Sequence, residues 1–501
     1  MASTFAVTRN HLIFGLCLPL AVLLGYTLAD VQDPASRIVI LIALAVLSVP
    51  LLMKWYHPVL VLSWNSVVQF ALLGNLNFWC IMAVAGLFIA VLNRSINARD
   101  EFLAEPALTR PILVLTAVVV VIAMTTGGIG LRILGSQLIG GKSYVWIFAA
   151  VAGFFAFSSR SIPESRAYLY AAMFFLPGLT SMIGRFAIWS GVGLDYVVLF
   201  FPLDAPPDAL GIDKSEDFGA IRISGVVLAS TSVFCWVLAR HGIAGTFDFS
   251  KPWRFLILLG AGVLGMFGGF RSAIILCGLV FAILFCLERL WRTRAMGILV
   301  AVVLIGGGLV AGFADKLPLT MQRTLSFLPF NFDPVSKLSA EASTEWRLEM
   351  WRRLLPQVPQ YLFKGKGYTI SADELFMVRE AEVFGAGTTI ETSTYAGDYH
   401  NGLLSIVMPL GVYGVLAFFW LVIAGARFLY RMHQESPPAL RQINAFLFAL
   451  FLARILFFIF VFGSLASDLF QFLGILGFSV ALNVRTKREP IEADEPATQE
   501  A

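Results

Sequence analysis

Residues 398–424 read DYHNGLLSIVMPLGVYGVLAFFWLVIA. From Gly402 to Ala424 no side chain is charged. A run of about 20 apolar residues is what a helix needs to cross the hydrocarbon core of a bilayer. Immediately before it stand Asp398, His400 and Asn401, three side chains able to accept or donate protons or hydrogen bonds. The abrupt change from reactive to apolar sequence sets the fold class, an all-α membrane protein, and marks a membrane face where polar groups collect.

The rest of the chain agrees with that reading. Of its 501 residues 58% are hydrophobic and 14% charged, and the mean hydropathy is +0.80. Soluble domains are about half apolar and a quarter charged, so a large soluble protein is excluded. Apolar runs recur at about 11–29, 37–53, 57–74, 76–93, 111–129, 143–158 and 168–188, and again at 221–239, 254–268, 272–288, 296–313, 402–424, 443–462 and 468–484. They predict a polytopic protein of about fourteen transmembrane helices with no internal repeat. The third run is the weakest, because Asn65 and Gln69 interrupt it.

Basic residues orient these spans, because cytoplasmic segments of membrane proteins are enriched in Lys and Arg. With the N-terminus inside, one set of connections carries Arg94, Arg99 and Arg110, then Arg160 and Arg166, Arg240 and Lys251, Arg289 and Arg292, and Arg427, Arg431 and Arg441. The opposite set is poor in basic residues outside the long loop. Omitting the third span would invert everything after it. The expectation is therefore fourteen spans with both termini cytoplasmic. The first span fits an uncleaved anchor better than a signal peptide, although Thr27-Leu28-Ala29 loosely fits a cleavage site. The acidic tail from Glu489 reads as a solvated end. All five cysteines fall in apolar runs, so neither a disulfide nor a metal site is expected. The net charge of +4 is small, and no nucleic-acid partner is expected.

The longest polar stretch between spans, about 315–401, lies on the outer side in this topology. His400 closes it and is the only histidine of five expected to face outward. Its ordinary pKa of about 6.5 suits a general base, and Asp398 stands two residues away to orient it. A cap at the start of the next helix is an equally good reading. Residues 343–355 read as an amphipathic helix capped by Ser343 or Thr344, with Leu348, Trp351 and Leu355 on one face. Glu349 is spaced to pair with Arg352 and Arg353, whereas Arg347 has no carboxylate three or four residues away. That leaves Arg347 for an external anion, or as an anchor of a helix at the membrane interface. Lys364-Gly365-Lys366-Gly367 can approach an anion through backbone amides, but a plain turn explains it more simply. Arg271, Arg222 and Arg185 fall at outer ends of spans. Each can hold phosphate or snorkel to the interface. Arg454 lies within a span, with Asp468 as its candidate partner.

These residues, taken in order, resemble the O-antigen ligase and polymerase family of bacterial membrane proteins. The resemblance rests on Arg271-Ser272 opening a span, Arg347 with Trp351 in the loop helix, Gly365 and Gly367, and His400-Asn401 followed by Gly411 and Gly414. It covers about residues 255–425. Helices before it (1–254), two after it (426–484) and a tail (485–501) complete the expected organisation. The resemblance implies a glycosyltransferase of the bacterial inner membrane that works without a cofactor or metal. Its donor would be a polyprenyl-diphosphate-linked glycan and its acceptor a hydroxyl of a glycan or lipid core on the periplasmic side. His400 would be the base. Arg347 and Arg271 first, then Arg222 and Arg185, would hold the diphosphate, with Asp398, Asn401, Lys366 and Trp351 in support. A single displacement with inversion is the expected route, since no carboxylate pair is compelling. A transporter or flippase for lipid-linked saccharides is the alternative. It is disfavoured because polarity is concentrated in one loop and not spread through discontinuous spans. Oligomeric state, sugar and linkage are not legible in the sequence.

Overall fold

Apolar runs fold as helices here because lipid offers no hydrogen bonds to an open backbone. A computed structural model describes residues 34–70, 75–96, 102–103, 105–126, 141–191, 193–203, 222–368, 390–395 and 397–484, with isolated positions at 19, 21–22, 25–26 and 376. The expected first span falls almost wholly outside the described residues, and its alternative cleavage site and the acidic tail do so entirely. The chain forms two compact units, Met1–Val59 and Leu60–Ala501. The described part of the first is most of helix α1 (Pro34–Ser63).

In the second unit a short antiparallel hairpin, β1 (Gln69–Phe70) and β2 (Leu76–Asn77), precedes α2 (Phe78–Ile96), α3 (Pro106–Thr126) and α4 (Gly141–Phe157). Then come α5 (Ala167–Phe175), α6 (Ile183–Trp189), α7 (Asp195–Val198), α8 (Ser224–Thr246), α9 (Trp253–Met266), α10 (Arg271–Leu287) and α11 (Arg294–Phe313). The polar loop contributes α12 (Leu319–Leu325), α13 (Pro334–Leu354), α14 (Val358–Tyr361) and α15 (Ile390–Tyr395). Three long helices close the described fold: α16 (Leu404–Gln434), α17 (Arg441–Phe460) and α18 (Leu465–Asn483).

Among the described residues eight helical segments are long and apolar enough to cross a membrane: α2, α3, Glu164–Trp189, α8, Arg294–Lys316, α16, α17 and α18. Helices α4, α9 and α10 are apolar but shorter. The expected third span, 57–74, is not a separate helix. Helix α1 runs through the predicted break near residue 55 and ends at Ser63. The polar residues beyond it leave the helix: in the turn Asn65 Nδ2 donates to Phe174 O at 2.7 Å, and at the start of β1 Gln69 N donates to Phe200 O at 2.9 Å. The count of fourteen is therefore not reached among the described residues.

The core is aromatic and depends on missing side chains. Trp64 is fully buried, with Trp79 and Phe157 at ring-centroid distances of 5.4 and 4.9 Å. Its Nε1 donates to Phe470 O at 3.2 Å. The indole fits between α4 and α18 only because Gly153 and Gly474 are glycines; a Cβ on either would fall on the ring. Small residues at such crossings let membrane helices approach closely. Helix α11 is the opposite case, since none of its most apolar window is buried in protein.

Helix α16 is broken at Gly411, where φ is +65° and ψ −164°, two residues after Pro409. A break frees backbone groups that lipid cannot satisfy. Polar loop residues satisfy them: Lys366 N donates to Met408 O at 2.8 Å and Gly367 N to Pro409 O at 2.9 Å. Val412 N donates in return to Leu362 O at 2.7 Å. The loop continues to α4, where Tyr368 N donates to the Tyr144 hydroxyl at 3.0 Å.

A Cβ at Gly411 would meet Leu362 O at 2.6 Å in a backbone conformation open almost only to glycine. Gly411→Ala is expected to destabilise the protein by about 1–3 kcal/mol. A lowered thermal midpoint in detergent, with faster tryptic cleavage at Lys364 and Lys366, is the readout. Unchanged melting and cleavage would show that the loop does not depend on this break.

Candidate active site

The loop helix α13 begins earlier than the sequence suggested. Asp333 caps it, its Oδ1 accepting from Val335 N at 2.8 Å, and Pro334 takes the first turn where no N–H is needed. Ser343 and Thr344 lie inside the helix. The Asp333-Pro334 pair carried this start, and the apolar spacing read from Leu348 onward obscured it. The expected apolar face is also displaced. Leu348 and Leu355 are exposed, while Met350 and Leu354 are buried in a cluster with Tyr399, Leu404 and Met408, flanked by Trp346 and Trp351. The expected Glu349 pairs are present, at 2.9 Å to Arg353 and 3.9 Å to Arg352.

Two contacts fix α13 in place. On one side Arg271, at the start of α10, donates from Nη2 to Ala340 O at 2.8 Å and to Thr344 Oγ1 at 3.2 Å. On the other, Trp351 Nε1 donates to Tyr399 O at 3.0 Å. This brings α13 against the segment that ends the loop.

His400 sits in that segment with a left-handed backbone, φ +47°. Its ring lies between Trp346 and Phe462, with centroids 5.2 and 5.1 Å away. Asp398 Oδ1 accepts from His400 N at 3.3 Å and stands 3.2 Å from Nδ1. That distance suits an ion pair with a protonated ring, but Nδ1 is out of line for a hydrogen bond and is buried without one. Nε2 is thus the nitrogen left for a substrate, on a side chain 24% exposed. Asn401 is a helix cap, its Oδ1 accepting from Leu404 N at 3.1 Å. Gly402 must be glycine because the Phe458 carbonyl occupies the place of a Cβ.

The arginines gather on the same side. Arg347 lies 5.8 Å from the centroid of Phe462, the ring that also packs on His400. Burial holds its guanidinium below the ordinary arginine range; Asp398 pushes it back up and Arg323 lowers it further. Arg323, which sequence reasoning missed, is buried on α12 and acts electrostatically on both Arg271 and Arg347. No spacing rule singles it out; only the fold of 314–333 brings it in, through Thr324 Oγ1 on Met266 O at 3.0 Å and Gln322 on Leu317 O at 2.7 Å. Arg222 lies 5.8 Å over Phe270, the neighbour of Arg271. Arg185 is on α6, one turn past Ser181, whose hydroxyl donates to Gly225 O at 2.7 Å; among the described residues no contact joins it to His400. Lys366 belongs to the turn on Gly411, and its amide is spent on Met408 O, so the glycine-rich turn is structural. Among the described residues no group of three or more His, Cys, Asp or Glu could hold a metal ion, and neither Arg271 nor Arg347 forms an ion pair.

The arrangement is a histidine beside a carboxylate, with Arg347 on the Phe462 ring that packs against that histidine and Arg271 bonded to the helix that carries Arg347. Residues 255–419 match the family model described as O-antigen ligase. This segment belongs to the O-antigen ligase family. It contains Arg271, Arg347, Asp398 and His400, and excludes Arg185, Arg222 and Phe462. The O-antigen ligase domain supports a glycan-transferring function in polysaccharide biosynthesis, within a multi-pass membrane protein. No curated protein matches the chain.

Trp351→Phe keeps the ring and removes the bond to Tyr399 O. It is expected to cost about 1–3 kcal/mol, because a part-buried carbonyl loses its partner. A thermal midpoint equal to wild type would show that the indole N–H does not hold α13 to the His400 segment.

Proposed function

We propose that the protein transfers a glycan from a polyprenyl-diphosphate carrier to an acceptor hydroxyl at the periplasmic face of the bacterial inner membrane, as an O-antigen ligase or a polysaccharide polymerase. The observation that carries this reading is the convergence of His400, Asp398, Arg347 and Arg271 through Trp346, Phe462 and α13. A transporter has no need of a base held beside an anion site.

In this mechanism His400 Nε2 takes the proton of the acceptor hydroxyl as its oxygen attacks the anomeric carbon of the donor. The anomeric C–O bond to the diphosphate breaks on the opposite face, so configuration inverts. The proton is held on the imidazole, where Asp398 stabilises the positive charge, and then passes to solvent. The electron pair of the broken bond stays on the diphosphate. Arg347 and Arg271 meet that growing charge in a half-buried setting, where fixed donors are worth more than in water. Arg323 adds to the same field, and Arg222 lies beyond Phe270 on a path for the rest of the headgroup. No metal is required by these steps.

His400→Gln preserves shape and one hydrogen-bonding edge but not basicity. It is expected to reduce transfer by about 10²–10⁴-fold. The measurement is a profile of surface glycans and lipid-linked intermediates in a deletion strain rescued with wild type or variant. Single lipid-linked repeats accumulating would identify a polymerase, and long lipid-linked chains lacking an acceptor a ligase. Full rescue by His400→Gln removes the base assignment, and glycan trapped on the cytoplasmic side favours transport. In the same strain Arg347→Ala is expected to lose about 10²–10³-fold in turnover, with Arg347→Lys recovering only part.

A further inference from the structure

A cavity of about 280 Å³ lies among α2, α4, α8, α17 and α18, and neither His400 nor Arg347 is among its described lining residues. Among its described lining residues Arg454 is the one charged side chain. Two buried donors on this lining have no hydrogen-bond partner, Arg454 Nε and Trp146 Nε1. Buried donors in native proteins are nearly always paired, and two orphans around one space call for an acceptor within it.

The expected internal partner does not supply one. Asp468 acts on Arg454 electrostatically, but no ion pair joins them. Its carboxylate is instead held at the start of α18, where Oδ2 accepts from Ser464 N at 2.8 Å. Two neutral amides on the lining bond to other groups: Asn65 Nδ2 donates to Phe174 O at 2.7 Å, and Gln471 Nε2 donates to Asn65 Oδ1 at 3.3 Å. A guanidinium within a span normally has a partner or lines a ligand path. Its lining also carries Trp64, Trp79 and Phe470 with amide and hydroxyl side chains. Aromatic rings edged by scattered polar groups suit a polyhydroxylated molecule. Small-molecule pockets begin at about 300 Å³, so this space fits one group of monosaccharide or headgroup size.

We infer that this cavity binds an oxyanion on Arg454 and Trp146, carried either by an acidic sugar as its carboxylate or by a lipid headgroup as its phosphate. Filling it requires no transfer chemistry, so it stands or falls separately from the proposed reaction.

The test uses the full chain in nanodiscs of neutral phosphatidylcholine, followed by tryptophan fluorescence and thermal shift. The probes are methyl glucuronide, dioctanoyl phosphatidylglycerol and, as the neutral control, methyl glucoside. At least one anionic probe is expected to give a saturable response in wild type and equally in His400→Gln, while methyl glucoside gives none. Arg454→Gln is expected to weaken that response about tenfold or more, and Arg454→Lys to retain much of it. Trp146→Phe, a smaller change that guards against misfolding of the arginine variant, is expected to weaken it several-fold. Response to the glucuronide alone assigns the oxyanion to a sugar; response to the phospholipid alone assigns it to a headgroup. Equal response to glucoside and glucuronide, an anion response unchanged by Arg454→Gln, or no saturation by either anionic probe would overturn the inference.

Discussion

The structure depends on one constraint, that backbone polar groups inside a membrane must find protein partners. Pro409 and Gly411 open α16 near its N-terminal end and leave the Met408 and Pro409 carbonyls to be satisfied. A loop that bonded only to water could not reach them. The amides of Lys366 and Gly367 do, and the positive φ of Gly365 and Gly367 permits the turn to lie flat on the helix. The polar loop is thus built into the bundle by hydrogen bonds that lipid cannot replace. Because α13 and α14 precede this anchor directly, their distance from the start of α16, and so from His400, is set by it.

Precision at the site follows from that anchoring. His400 occupies a left-handed conformation uncommon for a residue with a side chain, and surrounding contacts hold it there. Asn401 caps the helix on one side and Asp398 accepts the His400 amide on the other. Trp346 and Phe462 limit ring rotation. An imidazole held this way has little rotamer freedom left to lose. The electrostatic half of the site is equally fixed, since Arg271 is already bonded to the α13 backbone before any substrate arrives.

The fold class was legible because hydropathy acts residue by residue along the chain. His400, Asp398, Arg347 and Arg271, singled out in the sequence, lie in one region of the fold. What was not legible depended on three-dimensional exchange. Helix α13 starts at Asp333-Pro334, well before the Ser343 or Thr344 expected to cap it, in sequence with no apolar period to mark it. Asn65 and Gln69 read as defects in a span, whereas the Asn65 side chain bonds to Phe174 O in the turn after α1 and Gln69 opens β1, its amide bonded to Phe200 O. Arg323 and Phe462 join the site from segments with no motif of their own.

Phe462 shows how far the site extends beyond the matched segment. It lies in the link between α17 and α18, outside residues 255–419, yet its ring packs on His400 and carries Arg347. The same link is tied to the histidine segment at other points. Ser405 Oγ accepts from Leu465 N at 2.9 Å, and the Phe458 carbonyl excludes any side chain at Gly402. The link is itself shaped by Asp468, which holds Ser464 N and acts on Asp398 and on Arg454. The link that Asp468 shapes carries the ring against which His400 and Arg347 are set. The two C-terminal helices are thus part of the site's construction, and the matched segment does not complete it alone.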